Sequence, residues 1–340
     1  TSLSVGLSKR LTVPDDNFYF SNGVSFQYYD LNNYNTGLFT FGDGSSRNLA
    51  FNLGLTRNNK GVNPIYPTSG SEFSISAKFT LPYSLFNGVD YGNLGNLQEN
   101  KLKYDPSKGL NVQATSQGQV PSLGDYLGIY QTLPNGQKIY QVVDNYQDAA
   151  ADQAKVDQLK FNWLEYYKLK FKADWYTKVA GTPQKALVLR ALGEFGYLGA
   201  YNGARGVVPF ERFFLGGDGL ANFALDGREV VQLRGYPNQS LSSTDGGTTY
   251  NKFTLELRYP LTLKAAASIY ALTFLEAGSS FDSFKDYNPF VLQRSAGFGL
   301  RVFMPAFGLL GIDFGHGFDP VPGGTQKNGW ETHFIIGQQF

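Results

Sequence analysis

The chain has no cysteine, one methionine and two histidines among its 340 residues. Without cysteine it forms no disulfide and carries no thiol chemistry. Charge is scarce too. Only 17% of the residues are Asp, Glu, Lys or Arg, where an average soluble domain has about a quarter. The net charge of +1 gives no reason to invoke nucleic acid or an acidic surface. Long apolar runs are missing as well: nowhere do about 18 apolar residues follow one another, so no transmembrane helix is expected. No signal peptide is visible, because Thr1 opens directly into strand-like sequence. A secreted protein loses that segment on maturation, so its absence says little.

What is abundant is aromatic residues and glycine: 28 Phe, 22 Tyr and 40 Gly. Such a chain must hide apolar surface. A soluble β-sandwich hides it inside; a membrane barrel turns it outward against lipid. Period-two alternation separates apolar from polar positions. In 48–58, Leu49, Phe51, Leu53 and Leu55 alternate with Asn48, Ala50, Asn52, Gly54 and Thr56. In 71–81, Phe73, Ile75, Ala77, Phe79 and Leu81 alternate with Glu72, Ser74, Ser76, Lys78 and Thr80. In 253–259, Phe253, Leu255, Leu257 and Tyr259 alternate with Thr254, Glu256 and Arg258. Strand side chains point to opposite faces in turn, so each segment has one apolar and one polar face.

This reading predicts an all-β chain of about eleven strands: 2–11, 17–30, 47–58, 70–82, 160–178, 186–198, 251–260, 267–281, 293–305, 308–317 and 331–340. Short connections fall at 14–16, 180–183, 261–265 and 305–307, with a slightly longer one holding Pro64, Pro67 and Gly70. Between them lie long ones at 31–46, 83–159, 199–250, 282–292 and 318–330. The longest carries helical spacing over Ala149–Leu159. Bacterial barrels have short periplasmic turns and long external loops. On that rule the first and last strands both descend, and the C-terminus is periplasmic. The strand count is then odd, whereas single-chain bacterial barrels are even-stranded. The expectation is that an odd number of strands precedes Thr1 or comes from another chain, leaving an open edge.

Several motifs stand out. The C-terminal run His333-Phe334-Ile335-Ile336-Gly337-Gln338-Gln339-Phe340 puts Phe334, Ile336 and Phe340 on the lipid face. The loop 199–250 contains Leu233-Arg234-Gly235-Tyr236, after Pro209-Phe210-Glu211-Arg212-Phe213-Phe214-Leu215-Gly216-Gly217-Asp218. By parity Glu256 faces inward, and Glu276 shares the face of Phe274 and Gly278. A loop folding back into the lumen would let Arg234 pair with one or both, since a planar guanidinium engages two carboxylates. Lys168, Lys170 and Lys172 share one parity with Asp174 and read as a solvated lumen face.

These segments, with Pro-Thr-Ser-Gly-Ser-Glu-Phe at 67–73, Ser-Ala-Gly-x-Gly-Leu-Arg at 295–301 and the terminal Gly-Gln-Gln-Phe, resemble the BamA family, the barrel subunits of the outer-membrane β-barrel assembly machine. The resemblance runs through nearly the whole chain, with the motifs in the family's order. It implies a sixteen-stranded antiparallel transmembrane barrel spanning 1–340 from about its sixth strand, with POTRA domains absent from this chain. It implies that Arg234 docks inside the barrel with Glu256 and Glu276 as acidic partners; the family often has Asp at the second position. It implies that the last strand, with Phe334, Ile336, Gly337 and Phe340, forms a lateral gate. Glycine in a strand interior weakens it. The implied function is insertion of β-barrel proteins into the bacterial outer membrane by strand-edge templating. The implied partners are unfolded outer-membrane clients, accessory lipoproteins and the lipid bilayer.

Other classes remain. A passive or gated pore needs only a charged lumen, and a two-partner secretion pore is a near relative. An enzyme would need a nucleophile or metal at the loop rim. No Gly-x-Ser-x-Gly elbow occurs, and His316 and His333 have no obvious third metal ligand. No catalytic residue, metal or cofactor is therefore expected.

Overall fold

The computed structural model describes residues 1–32, 41–61, 63–114, 120–182, 185–219, 229–264 and 266–337. Eleven strands form one antiparallel sheet in a simple meander. They are β1 (Ser2–Leu11), β2 (Phe18–Leu31), β3 (Gly44–Asn58), β4 (Gly70–Thr80), β8 (Tyr167–Thr182), β9 (Lys185–Gly199), β12 (Thr249–Lys264), β13 (Ala267–Phe281), β14 (Gln293–Met304), β15 (Gly308–Gly317) and β16 (Gly329–Ile336). The intervening numbers belong to short loop strands: β5 (Val112–Gln113), β6 (Leu127–Thr132) and β7 (Lys138–Val142) in the first long loop, and β10 (Phe213–Leu215) and β11 (Glu229–Val231) in the second. Among the described residues the sheet does not close: β1 and β16 are its two edges and make no pair with each other.

Alternation decides which face each residue takes. Along β12, Phe253, Leu255, Leu257 and Tyr259 are exposed while Thr254, Glu256 and Arg258 are buried. The register repeats this across the sheet, with Phe73 beside Ala173, Gly193 beside Phe253, and Leu255 beside Leu275. One face thus carries an exposed apolar belt that includes Ile75, Trp175, Leu275 and Phe298. No common apolar interior gathers these side chains: Phe73 is 43% exposed and Leu255 47%.

The other face curls around the second long loop. In a flat sheet β2 and β16 would lie about 43 Å apart, nine strand spacings. Yet Phe210 packs on Tyr29 of β2, with ring centroids 5.3 Å apart, and Gly235 bonds His333 of β16. Between them the loop is drawn into a compact bracket by the parallel β10–β11 pair and by Gly217 bonding Leu233. Its apolar centre, with Phe213, Leu215, Leu233 and Tyr236, is buried inside the curve.

Several expectations are corrected. The first long loop is structured: β5, β7 and β6 form a three-stranded sheet. Its helix, α1 (Gln153–Phe161), begins later than the spacing predicted, because Asp152 caps it by accepting from the Lys155 amide. The predicted strand over 160–178 begins only at Tyr167. The chain is helical through Phe161, and then runs beside β3, where the Arg47 N–H donates to the Asn162 carbonyl and the Arg47 carbonyl accepts from the Leu164 N–H. The hairpins are also tighter than predicted, since β8 extends to Thr182 and β12 to Lys264, past a register irregularity at Pro260.

Candidate functional site

Arg234 sits at the tip of the bracket and is 2% exposed. Its Nη2 donates to Glu276 Oε1 at 2.7 Å and to Glu256 Oε1 at 2.8 Å; its Nη1 donates to Asp313 Oδ2 at 3.1 Å. Its own backbone N–H donates to Glu276 Oε2 at 2.7 Å. The guanidinium carbon lies 3.7 Å from the centre of the Phe274 ring, a desolvated cation–π contact. Period two brings these groups together: Glu256 on β12, Phe274 and Glu276 on β13, and Asp313 on β15 all take inward positions.

The carboxylates are shared with the wall's own cations. Glu256 also accepts from Arg190 at 3.3 Å and from Arg258 Nε at 2.8 Å. Asp313 accepts from Arg301 at 2.6 Å and Asp174 from Arg190 at 2.8 Å. Lys252 lies 3.9 Å from both Glu194 and Glu276. Five cations (Arg190, Arg234, Arg258, Arg301, Lys252) face five carboxylates (Asp174, Glu194, Glu256, Glu276, Asp313) in this cluster. Taking Arg234 out leaves one negative charge in surplus. Breaking one partner out of a buried ion cluster costs about 3–5 kcal/mol, so the wall favours the docked loop.

The neighbours of Arg234 fix its approach. Gly235 has φ +87°, a conformation that strains any residue with a Cβ. Its N–H donates to His333 Nε2 at 2.8 Å, and its carbonyl accepts from Asn328 at 2.9 Å. On the wall, a Cβ on Gly315 would lie 2.6 Å from the Gly235 nitrogen. Loop backbone thus lies directly against strand backbone. Tyr236 Oη donates to the Arg294 carbonyl at 2.7 Å. Leu233 is fully buried and fills the space over Gly278.

The predicted residues thus fall into two groups. Leu233, Arg234, Gly235, Tyr236, Glu256 and Glu276 lie together. Phe334 and Ile336 lie apart from them on the outer face of β16, 54% and 66% exposed. Gly337 is not in a strand interior: β16 ends at Ile336, and Gly337 follows at φ +122°. Phe340 is outside the described residues. Sequence reasoning gave Asp313, Phe274, His333 and Arg301 no role as partners of this loop. The parity rule that placed Glu256 inward also places Asp313 inward, opposite Ile312 and Phe314.

A family model for the Omp85 superfamily domain matches residues 103–340, which include the whole of this site. The chain belongs to the Omp85 superfamily. No curated protein matches it. Omp85 domains are outer-membrane β-barrels, which agrees with the antiparallel sheet and its exposed apolar belt. In this Omp85 chain no helix among the described residues is long and apolar enough to cross a membrane.

The lysine row on β8 is not the plain solvated wall that the sequence suggested. Lys168 bonds Glu211 at 3.3 Å and Glu229 at 2.5 Å, and Lys170 bonds Glu229 at 2.8 Å. Both glutamates come from the loop. Burial pushes the Glu211 carboxyl up, but the ammoniums of Lys78 and Lys168 outweigh it and hold it below the usual range.

Proposed function

We propose that this Omp85 chain is an insertase that folds β-barrel proteins into the outer membrane, with its turns and C-terminus on the periplasmic side. The observation that carries the reading is the docked Leu233-Arg234-Gly235-Tyr236 tip. It grips Glu256 and Glu276 through the arginine and reaches the last strand through Gly235 and His333. Loop docking and the position of β16 are therefore linked by direct contact.

The chemistry is strand pairing without bond making or breaking, so no cofactor or catalytic residue is called for. Among the described residues β16 pairs with β15 through eight residue pairs, and Gly337 follows it at φ +122°. A client strand adding to such an edge gains main-chain hydrogen bonds from a ready template. The belt residues Phe334 and Ile336 place that edge in lipid, where an unpaired strand has no water to satisfy it. Partners on this reading are unfolded barrel clients, accessory lipoproteins and the bilayer itself.

A second reading, a gated or polypeptide-secreting pore, has one observation in its favour. A cavity of about 530 Å³ lies beside the loop on the inner face, lined by charged groups including Lys172, Arg190, Glu194 and Lys252. Client folding in proteoliposomes discriminates between the two. Full-length protein should speed the appearance of heat-modifiable client barrel, and Arg234→Ala should lower the rate to that of empty liposomes. Client folding at the full rate by Arg234→Ala, with altered conductance alone, would overturn the insertase in favour of the pore.

A further inference from the structure

We propose that Glu211 is a second positioning residue for the internal loop, anchoring it to a separate stretch of the wall, β4 and β8, so that the bracket is held at both ends. Arg234 is the positive end, seated on carboxylates of β12, β13 and β15. Glu211 is the negative end. Its carboxylate meets Lys78 of β4 at 2.5 Å and Lys168 of β8 at 3.3 Å, and it accepts from Tyr166 Oη at 2.9 Å. Its carbonyl also accepts from Lys168 at 2.8 Å. Glu229 adds a further carboxylate to the same wall through Lys168 and Lys170.

The two ends are mechanically joined. Glu211 lies two residues before β10, and Glu229 opens β11; these strands pair in register, Phe213 with Glu229 and Leu215 with Val231. Gly217 then bonds Leu233, the residue before Arg234. Short stiff backbone therefore connects the acidic end to the arginine. The charges of loop and wall are opposite at both ends and reversed between them: acid on lysines at β4 and β8, arginine on acids at β12 to β15. This arrangement fixes the orientation of the loop as well as its depth, because a loop turned end for end would meet like charge at both walls. Lys168 is also seated 4.5 Å from the centre of the Phe213 ring, so the cation wall is built to receive this segment.

Releasing Glu211 should free the upstream half of the bracket while Arg234 stays seated. Loss of one partner from a charged hydrogen-bond set corresponds to about a tenfold shift in the docked-to-undocked ratio. The experiment uses full-length protein in planar bilayers, with variants Glu211→Gln, Glu211→Lys, Lys78→Glu and the double variant Glu211→Lys with Lys78→Glu. The expected result is more time in a high-conductance state for each single variant, and partial return to native behaviour in the double variant. Amide exchange at Leu233 and Arg234 should stay slow in Glu211→Gln, unlike in Arg234→Ala. Native conductance in a heat-modifiable, folded Glu211→Gln protein would overturn the proposal, as would a double variant no better than Glu211→Lys. If Glu211→Lys fails to fold, Lys78→Met reads the same contact, and native conductance there is equally fatal. The readouts do not involve client folding, so this proposal and the insertase reading fail separately.

Discussion

Glu276 holds Arg234 twice: one carboxylate oxygen accepts from the guanidinium and the other from the backbone N–H of the same residue, both at 2.7 Å. The carboxylate therefore fixes the main chain at the loop tip as well as its charge. Thr254, opposite Glu276 in the register, adds a third bond at 3.1 Å and sets the carboxylate's orientation.

Glu276→Gln should consequently cost more than the loss of one surface pair. Its amide can still accept one bond, but the buried guanidinium loses a charge partner, worth about 3–5 kcal/mol in such a site. Hydrogen exchange across 229–236 should accelerate, with exchange in β14 and β15 unchanged. Equal protection in variant and native protein would show that Glu256 and Asp313 suffice.

Gly315→Ala offers a purely steric test. The new Cβ would press on the Gly235 nitrogen at 2.6 Å while every charge stays in place. The expected result is partial undocking of the loop tip, at a cost of about 1–3 kcal/mol, seen as new protease cleavage near Gly235 in the folded barrel. A cleavage pattern like that of native protein would mean that the strand yields instead.

Acid should loosen the outer clasp of the tip before its core. Asp319, in the loop after β15, takes two bonds from the Arg294 side chain at 2.8 and 3.0 Å and one from the Arg294 amide at 2.8 Å. The Arg294 side chain holds its carboxyl below the ordinary value of 3.8. A depressed carboxylate contributes stability that is fully present above its unfolded value and is lost as pH falls through the folded one. Exchange of the Arg294 amide should thus be constant from pH 8 to 5, after correction for intrinsic rates, and lose protection below about 4. Loss of protection near pH 6 would contradict this.

The two faces of the sheet should respond oppositely to charge. Leu255→Arg places a cation in the outer belt, where the cost at the bilayer midplane is about 2–4 kcal/mol. Ser76→Arg adds the same group beside the inner cavity and should be nearly neutral. Reversible urea unfolding in phospholipid vesicles measures both. Similar losses for the two variants would count against the assignment of faces.

Much of this was legible in the chain because strand parity is a local property. The ends of β1, β13 and β15 coincide with the predicted ones. The start of β8 was not legible. Residues 162–166 carry strand-like composition, and only their contact with β3 decides that they serve as a bridge to it. Glu256 and Glu276 could be placed inward by counting. Asp313 could be too, but nothing local says that it meets an arginine 79 residues earlier. Glu211 was hidden for the opposite reason. It sits in a motif of loop residues with no period, so its lysine partners on β4 and β8 emerge only when the sheet curls around it.

The sheet is a wall with lipid on its apolar face and the docked loop on the other. These 340 residues have no cysteine, so single cysteines at Phe73, Ser74, Ile75, Ser76 and Ala77 of β4 can each carry one fluorophore, in bilayers, in protein with no other cysteine. Quenching by nitroxides on the lipid acyl chains should be strong at 73, 75 and 77 and weak at 74 and 76. Quenching that fails to alternate, or that is strongest at 74 and 76, would contradict the account.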